Sequence, residues 1–505
     1  MRTPFLRGLK RLYIRSKQEA TLESTPEAPI SRRDFLKAAT LTAAVSSVPA
    51  LAQKRKVTER VVIVGGGVAG LTCAYRLKQQ GIHADIYEAS DRLGGRMFSV
   101  YNTFDMNEVV ELGGELVDSG HEELITLTEE LGLHLTDLKA AEKGLKSEDW
   151  FFGGKRYTER DLLRMFKPIA ERIDRDLENV DLDTVNYKNP GGAEPLDWVS
   201  IPDYLAPIEA DQVMKDILAL AYTTEYGLDA SEQSATNLLY LIGTDPKSWQ
   251  IYGESDEAYH IKEGSGAVPR RLAQRTNNQI QVGRVLERVS KTSSNRYKLD
   301  FKNGPSVYAD HVVFTIPFSV MRLLDIQIDL PPAKRQAIQE LGYGTNSKLM
   351  AAFETPIWRT QYGFSGSTYS DLPFQTSWET TRGQNTKGAV LTRFTGGTLG
   401  VKSGEGSPLE QGALFVEQME TLYPGLQSVY TGSAVRMHWP TKPHQLGSYS
   451  CYRIGQFTSI RGAEGECLGR LYFAGEHTSP FAQGYMEGAV ESGNRVAREV
   501  LKAIR

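Results

Sequence analysis

Six residues set the first chemical expectation. Gly65-Gly66-Gly67-Val68-Ala69-Gly70 has glycine at its first, third and sixth positions, and Glu88 follows 18 residues after Gly70. Gly65 permits a tight turn, Gly67 lets the backbone approach a pyrophosphate, and Gly70 lets a helix pack on a strand. An acid at that distance accepts hydrogen bonds from ribose hydroxyls, so the chemistry expected is dinucleotide binding. No side-chain catalyst competes with it: the chain has no HExxH, no GxSxG and no paired metal-ligand spacing. Its three cysteines, Cys73, Cys451 and Cys467, form no CxxC pair, which disfavours a zinc site or a thioredoxin-like centre. Cys73 reads as a small core hydrophobe. A bridge between Cys451 and Cys467 stays open.

The elements around the glycines are those that the chemistry requires. Residues 60–64 read RVVIV, a continuous β-branched run expected of a buried parallel strand. Residues 71–80 have helical spacing and stop at Gly81, a good carboxy-terminal cap, and residues 83–87 make a second strand that ends at Glu88. The helix amino end would offer N–H donors to phosphates. Strand, glycines, helix, strand and acid stand in order, which a chance glycine turn does not reproduce. At 505 residues the chain is too long for one ordinary core, and 40% apolar with 24% charged residues describes a soluble globular protein. Residues 1–52 hold nine Lys/Arg against four Asp/Glu, so the net −4 of the whole leaves −9 on the rest. That balance argues against a nucleic-acid partner and mildly favours cationic ligands.

Just past Glu88 and Ala89 comes Arg92-Leu93-Gly94-Gly95-Arg96-Met97. Here the sequence resembles the flavin amine oxidases, and the resemblance covers nearly all of residues 58–505. It implies an α/β fold: an FAD-binding Rossmann-like domain built on the GxGxxG turn, plus an α+β substrate domain with a mixed sheet. The FAD domain would be assembled from 58–130, 255–325 and 465–505, and the substrate domain from 131–254 and 326–464. Residues 155–180 read as a charged helix, 181–210 as loop, and 361–410 as short strands with connecting loops.

The resemblance also assigns residues. Arg92, Gly94, Gly95 and Arg96 bind the FAD pyrophosphate, with Arg96 the natural bidentate partner. Glu111-Leu112-Gly113-Gly114-Glu115 is similar to the loop under the flavin. Val285, in Gln281-Val282-Gly283-Arg284-Val285, contacts adenine, and residues 309–317 are the return strand to the FAD domain. Tyr472-Phe473-Ala474-Gly475-Glu476-His477-Thr478, running on through Tyr485, Met486 and Ala489 to Gly493, is similar to the carboxy-terminal signature, in which Glu476 binds the ribityl and phosphate region. Lys348 matches the lysine that holds a water against the hydride-accepting flavin nitrogen. Tyr449 and Tyr485 match the aromatic pair that flanks substrate and attracts its ammonium. Trp439, Tyr452 and Phe457 are weaker candidates for pocket walls. The residue before Tyr449 is Ser448, where covalent members carry a cysteine, so the expectation is non-covalent FAD.

Asp118 and Glu115 suggest a cationic substrate, with loop capping an equal reading of Asp118. The leading expectation is oxidative deamination of a primary amine, diamine or polyamine, with electrons passing to dioxygen or a quinone. The runner-up is an L-amino-acid oxidase or dehydrogenase. There Leu116 or Val117 stands in place of the carboxylate-clamping arginine, leaving Arg393 or Arg436 to act from the second domain. A lipid desaturase or isomerase would need neither the tyrosine pair nor Lys348, and a flavin-binding protein without turnover would need a blocked pocket.

At the amino terminus, Ser31-Arg32-Arg33-Asp34-Phe35-Leu36-Lys37 precedes a modestly apolar stretch, 38–48, and then Pro49-Ala50-Leu51-Ala52 ahead of Gln53. A basic pair, a short apolar segment and a small-x-small site make a signal peptide, too short to span a membrane. The twin arginines resemble the signal read by the Tat translocase. Its substrates cross folded, which suits a protein that loads a cofactor first and carries no disulfide framework. A periplasm is expected, with a thylakoid lumen or the cell exterior as alternatives, and the mature chain shows no transmembrane segment.

Overall fold

The computed structural model describes residues 59–504. The twin-arginine segment and its cleavage site lie outside the described residues. Val61–Val64 is a strand with every residue buried, and the helix Val68–Gln79 and strand Ala84–Tyr87 follow it. Four such apolar side chains each stabilise the fold by about 1.5–3 kcal/mol when removed from water. The sheet is completed by segments far apart in sequence. Its order is Ile280–Gln281, Ala84–Tyr87, Val61–Val64, His311–Phe314, Leu471–Phe473, with every pairing parallel. The strand before Val285 thus ends at Gln281. Gly283, at φ +68°, turns the chain, and Val285 follows as cavity wall.

A second sheet of seven strands is mixed. Its order is Tyr430–His438, Ser347–Phe353, Ala389–Thr395, Thr376–Glu379, Phe364–Ser370, Lys146–Phe152, Lys155–Tyr157. Only the pairing of Phe364–Ser370 with Lys146–Phe152 is parallel. Ser347–Phe353, which carries Lys348, is an interior strand buried along its whole length. The charged helix expected at 155–180 is Glu159–Asp176, closed at its start by a Thr158–Asp161 capping box.

Residues 181–210 are not all loop. They hold two short helices, Glu194–Asp197 and Ile201–Leu205. Pro195 and Pro202, residues that break a helix interior, sit in the first turns of these helices, where a missing N–H costs nothing. Cys73, Cys451 and Cys467 are all free thiols, so Cys451 and Cys467 are not bridged; Cys451 is buried and Cys467 exposed. Among the described residues no helix is long and apolar enough to cross a membrane.

Candidate active site

One cavity is lined by residues of both sheets, Val64 of the first and Lys348, Trp378 and Phe394 of the second. Its nucleotide end is lined by Gly65, Gly67, Val68, Ala69, Glu88, Ala89, Gly94, Gly95, Arg96 and Val285. The helix Val68–Gln79 starts here with no side-chain cap and no acid in its first turn, so its amino end is free to meet an anion. A Cβ on Gly67 would meet nothing within 4 Å and would project into open space. Gly70 does not line the cavity; a Cβ there would collide with the Gly65 carbonyl oxygen, so its role is the close packing of turn and helix. Glu88 holds the turn itself, accepting the Gly66 N–H at 2.6 Å and the Ser90 N–H and Oγ at 2.9 and 2.8 Å. Arg92 also stands behind the wall, donating to the carbonyls of Leu93 and Gly95 with its guanidinium over the Phe98 ring.

In the middle of the cavity, Arg96 donates to Glu476 at 2.8 Å and to the Ser448 carbonyl at 2.7 Å. Glu476 also accepts from the Ser450 hydroxyl and the Gly484 N–H. Burial opposes the Glu476 charge, but Arg96 and the Ser450 hydroxyl outweigh it and hold the carboxyl below its usual range. Gly475, Met486 and Ala489 line the same stretch. A glycine-sized loop under an open cavity, an uncapped helix and an arginine beside them fit a dinucleotide. The chain's own residues would hold FAD at Gly65, Gly67, Arg96 and Glu476.

At the far end, Gly113, Gly114 and Glu115 come within reach of Lys348. A Cβ on Gly113 would overlap the Arg96 carbonyl oxygen, so only glycine fits. Lys348 Nζ donates to Glu115 Oε2 at 2.8 Å, to Gly113 O at 2.8 Å and to Glu111 O at 3.2 Å. A lysine ammonium has three donors, and all three are taken, where the resemblance assigned the lysine a water. Trp378 Nε1 donates to the other Glu115 oxygen at 3.0 Å. Lys348 pairs across the sheet with Phe394, whose ring lies 5.3 Å from that of Trp378, so one sheet face builds this wall.

Tyr449 and Tyr485 both line the cavity, and one residue holds both. The Tyr449 hydroxyl donates to the Glu225 carbonyl at 2.6 Å, and the Tyr485 hydroxyl to Glu225 Oε1 at 2.9 Å. Glu225 and Tyr226 end the helix Gln212–Tyr226, and both face the cavity with Glu257 and Trp439. Burial drives the Glu225 carboxyl up to about 7, with Asp118 adding to the rise and the Tyr485 hydrogen bond opposing it. Burial, with Asp118 again, drives Glu257 up to about 8; its side chain is exposed to the cavity and enclosed by protein beyond.

Asp118 itself does not line the cavity. Its carboxylate accepts the Glu257 N–H at 2.9 Å and lies 3.3 Å from His121, one step behind the wall. Glu257 sits at φ +45°, a conformation that costs a non-glycine residue about 1–2 kcal/mol, and Asp118 fixes it there. Tyr452 and Phe457 are buried core residues outside the wall, and Arg393 and Arg436 hold backbone and side-chain oxygens elsewhere. Ser448 lines the cavity, and none of the three cysteines does.

Glu225, Glu257 and Trp378 escaped the sequence reading. One signal was available: Glu225 puts a carboxylate in the last turn of a helix that has no basic residue there, against the helix dipole. Such a local conflict marks a position chosen for something other than helix stability.

The family model for flavin containing amine oxidoreductase matches residues 68–501. Amine oxidase [flavin-containing] A of Canis lupus familiaris is 25% identical over 465 residues, 88% of this chain and 85% of the relative. Amine oxidase [flavin-containing] B of Mus musculus is 26% identical over 461 residues, 88% and 86% of the two chains. Among solved structures, putrescine oxidase bound to putrescine superposes with a TM-score of 0.74 at 21% identity. Cyclohexylamine oxidase from Brevibacterium oxydans does so with 0.76 at 20%, each covering 88% of this chain and 99% of the other. These last two speak to the fold, a mixed α/β architecture. The match along most of its length, over a cavity built for a flavin dinucleotide, makes this chain a member of the flavin-containing amine oxidoreductase family, an oxidoreductase acting on CH–NH2 groups.

Proposed function

We propose that the protein is an exported amine oxidase that holds FAD without a covalent bond and deaminates a primary amine, diamine or polyamine. The observation that carries this reading is the composition of the far end of the cavity. Two tyrosines face it beside the carboxyls of Glu225 and Glu257, and Lys348 there is paired with Glu115. Bound FAD would accept hydride from the carbon that bears the amine and return the electrons to dioxygen or a quinone. The chain's own groups do the rest. Ring faces and carboxyls draw an ammonium inward. Lys348 braces the Glu111–Glu115 loop by three hydrogen bonds. An amino acid would bring a carboxylate to a wall that offers it acids, which favours amines over the L-amino-acid reading.

Ser448, in the position from which a thiol would attach, supports non-covalent binding. The twin arginines, Arg32 and Arg33, support export. The test is anaerobic mixing of the FAD-loaded protein, beginning at Gln53, with putrescine, spermidine, tyramine, arginine and leucine. Loss of oxidised flavin absorbance with amines and not with the amino acids is expected. Bleaching by amino acids alone would replace the reading with the runner-up.

A further inference from the structure

A flavin can take hydride only from an amine whose nitrogen lone pair is free, yet an alkylamine with a pKa of about 10 arrives at neutral pH as an ammonium. The proton must go somewhere, and the cavity wall offers a place. Glu225 is the residue on which both slot tyrosines converge, through its carbonyl for Tyr449 and its carboxylate for Tyr485. It therefore sits at the hydroxyl edge of the slot, within the cavity wall itself. Among the described residues, only one of its carboxylate oxygens accepts a hydrogen bond from protein, that of the Tyr485 hydroxyl.

We propose that Glu225 is the proton acceptor that converts the bound ammonium into the neutral amine between Tyr449 and Tyr485. The step balances within the complex: an N–H bond of the ammonium breaks, its electron pair stays on nitrogen, and the proton forms an O–H bond on the Glu225 carboxylate. No proton passes to solvent and no oxidant is consumed. The proposal rests on the amine oxidase reading and extends it to a residue.

The surroundings suit the exchange. The ionisable groups that act electrostatically on Glu225 are tyrosines and carboxyls. Tyr222 and Tyr226 come from its own helix, Tyr252 and Glu257 from the segment before Tyr259–Ile261, and Tyr369 from Phe364–Ser370. Tyr449 and Tyr485 come from the carboxy-terminal part, and Asp118 from behind Glu257. His121 touches the outer edge of the Tyr485 ring, 5.3 Å between centroids, and is paired with Asp118. Burial, with Asp118 beside it and no lysine or arginine paired with it among the described residues, makes the carboxyl more basic than usual, near 7. It is still ionised in a good fraction of molecules at neutral pH, and it becomes a stable acid once protonated.

The experiment is the pH profile of anaerobic flavin reduction by an amine that bleaches the wild type, measured on wild type, Glu225→Gln and Tyr485→Phe. Retention of FAD and a melting temperature within a few degrees establish that each variant is folded. In the wild type, reduction loses rate only as the pH falls through about 7. In Glu225→Gln the proton must leave to solvent, so the acid limb moves up by about two units or more, toward the free amine's own value of about 10. At pH 7.5 the variant therefore lies on its rising acid limb where the wild type is already level, and its rate levels off only near pH 10. Tyr485→Phe removes the hydrogen bond that lowers the Glu225 value, so its limb shifts upward by less. A brace without a proton role would lower the rate by the same factor at every pH; that result, or an unchanged Glu225→Gln, overturns the proposal. If no amine reduces the wild-type flavin at any pH, the amine oxidase reading itself falls, and the proposal with it.

Discussion

The two ends of the cavity are built by different means. The nucleotide end is made mostly of backbone: four glycines, a helix amino terminus and the turn held by Glu88. Its residues lie in short contiguous motifs, because a backbone binds phosphate only where consecutive residues share one geometry. The amine end is made of side chains from separate elements: Lys348 on an interior strand, Glu225 at a helix end, Glu257 on a strained loop, and Tyr449 and Tyr485 from the carboxy-terminal part. Recognition of a common cofactor tolerates a local code. Choice among amines is set by constellations that no local spacing records.

The comparison predicts that damage at the two ends reads out differently. The largest effect is expected at the buried ion pair of the amine end. Lys348→Met leaves the Glu115 carboxylate, 5% exposed, with Trp378 Nε1 as its remaining recorded donor. Removing one partner of a buried pair costs about 3–5 kcal/mol. Both flavin retention and amine turnover should fall, and Lys348→Met with Glu115→Gln should be less unstable than the sum of the two changes. Additive denaturation midpoints would mean that the pair is not coupled.

Arg96→Met comes next. It strips Glu476 of its cation, and we expect a loss of about 3 kcal/mol together with weak FAD retention. The sign of its pH dependence is fixed. Glu476 is held below its ordinary value of 4.5, so its stabilisation is present above that pH and fades as the pH falls below it. Denaturant midpoints at pH 7 should therefore differ more between wild type and variant than those at pH 3. If the two gaps are equal, the ion pair is not what Arg96 contributes.

Glu257→Gln should be the mildest, and confined to the amine end. FAD retention is unchanged, while KM for a cationic amine rises about tenfold, the scale of one charge-assisted hydrogen bond. Because the Glu257 carboxyl is raised from 4.5 to about 8, the folded state loses stability as the pH climbs from about 4.5, where the unfolded chain ionises, and the loss is complete above about 8. The variant should gain melting temperature over wild type at pH 9 and not at pH 5. A gain that is the same at both would locate the effect in packing instead of charge.

These contrasts also explain what could be read in advance. The strand–turn–helix–strand unit, the buried Val61–Val64 run and the cavity-lining positions Arg96, Glu476 and Tyr485 were legible, because each is set by neighbours in sequence. Residues 181–210 misled because proline breaks a helix interior but starts a helix equally well, and only the surrounding packing tells the two apart. Asp118 looked like a substrate contact by position, yet it serves Glu257, 139 residues away, through a backbone N–H. Lys348 was found by its place in the resemblance, but not its three partners, which come from another stretch of chain.

By itself, then, the sequence determined the dinucleotide turn, the carboxy-terminal signature and the acid and aromatic types available for an amine. The tertiary structure alone decided which acids face the cavity, which stand behind it, and that Glu225 anchors both tyrosines. The reason is physical. A parallel sheet and a glycine turn are local solutions to backbone hydrogen bonding, whereas the protonation and reach of a carboxyl depend on what distant segments bury around it.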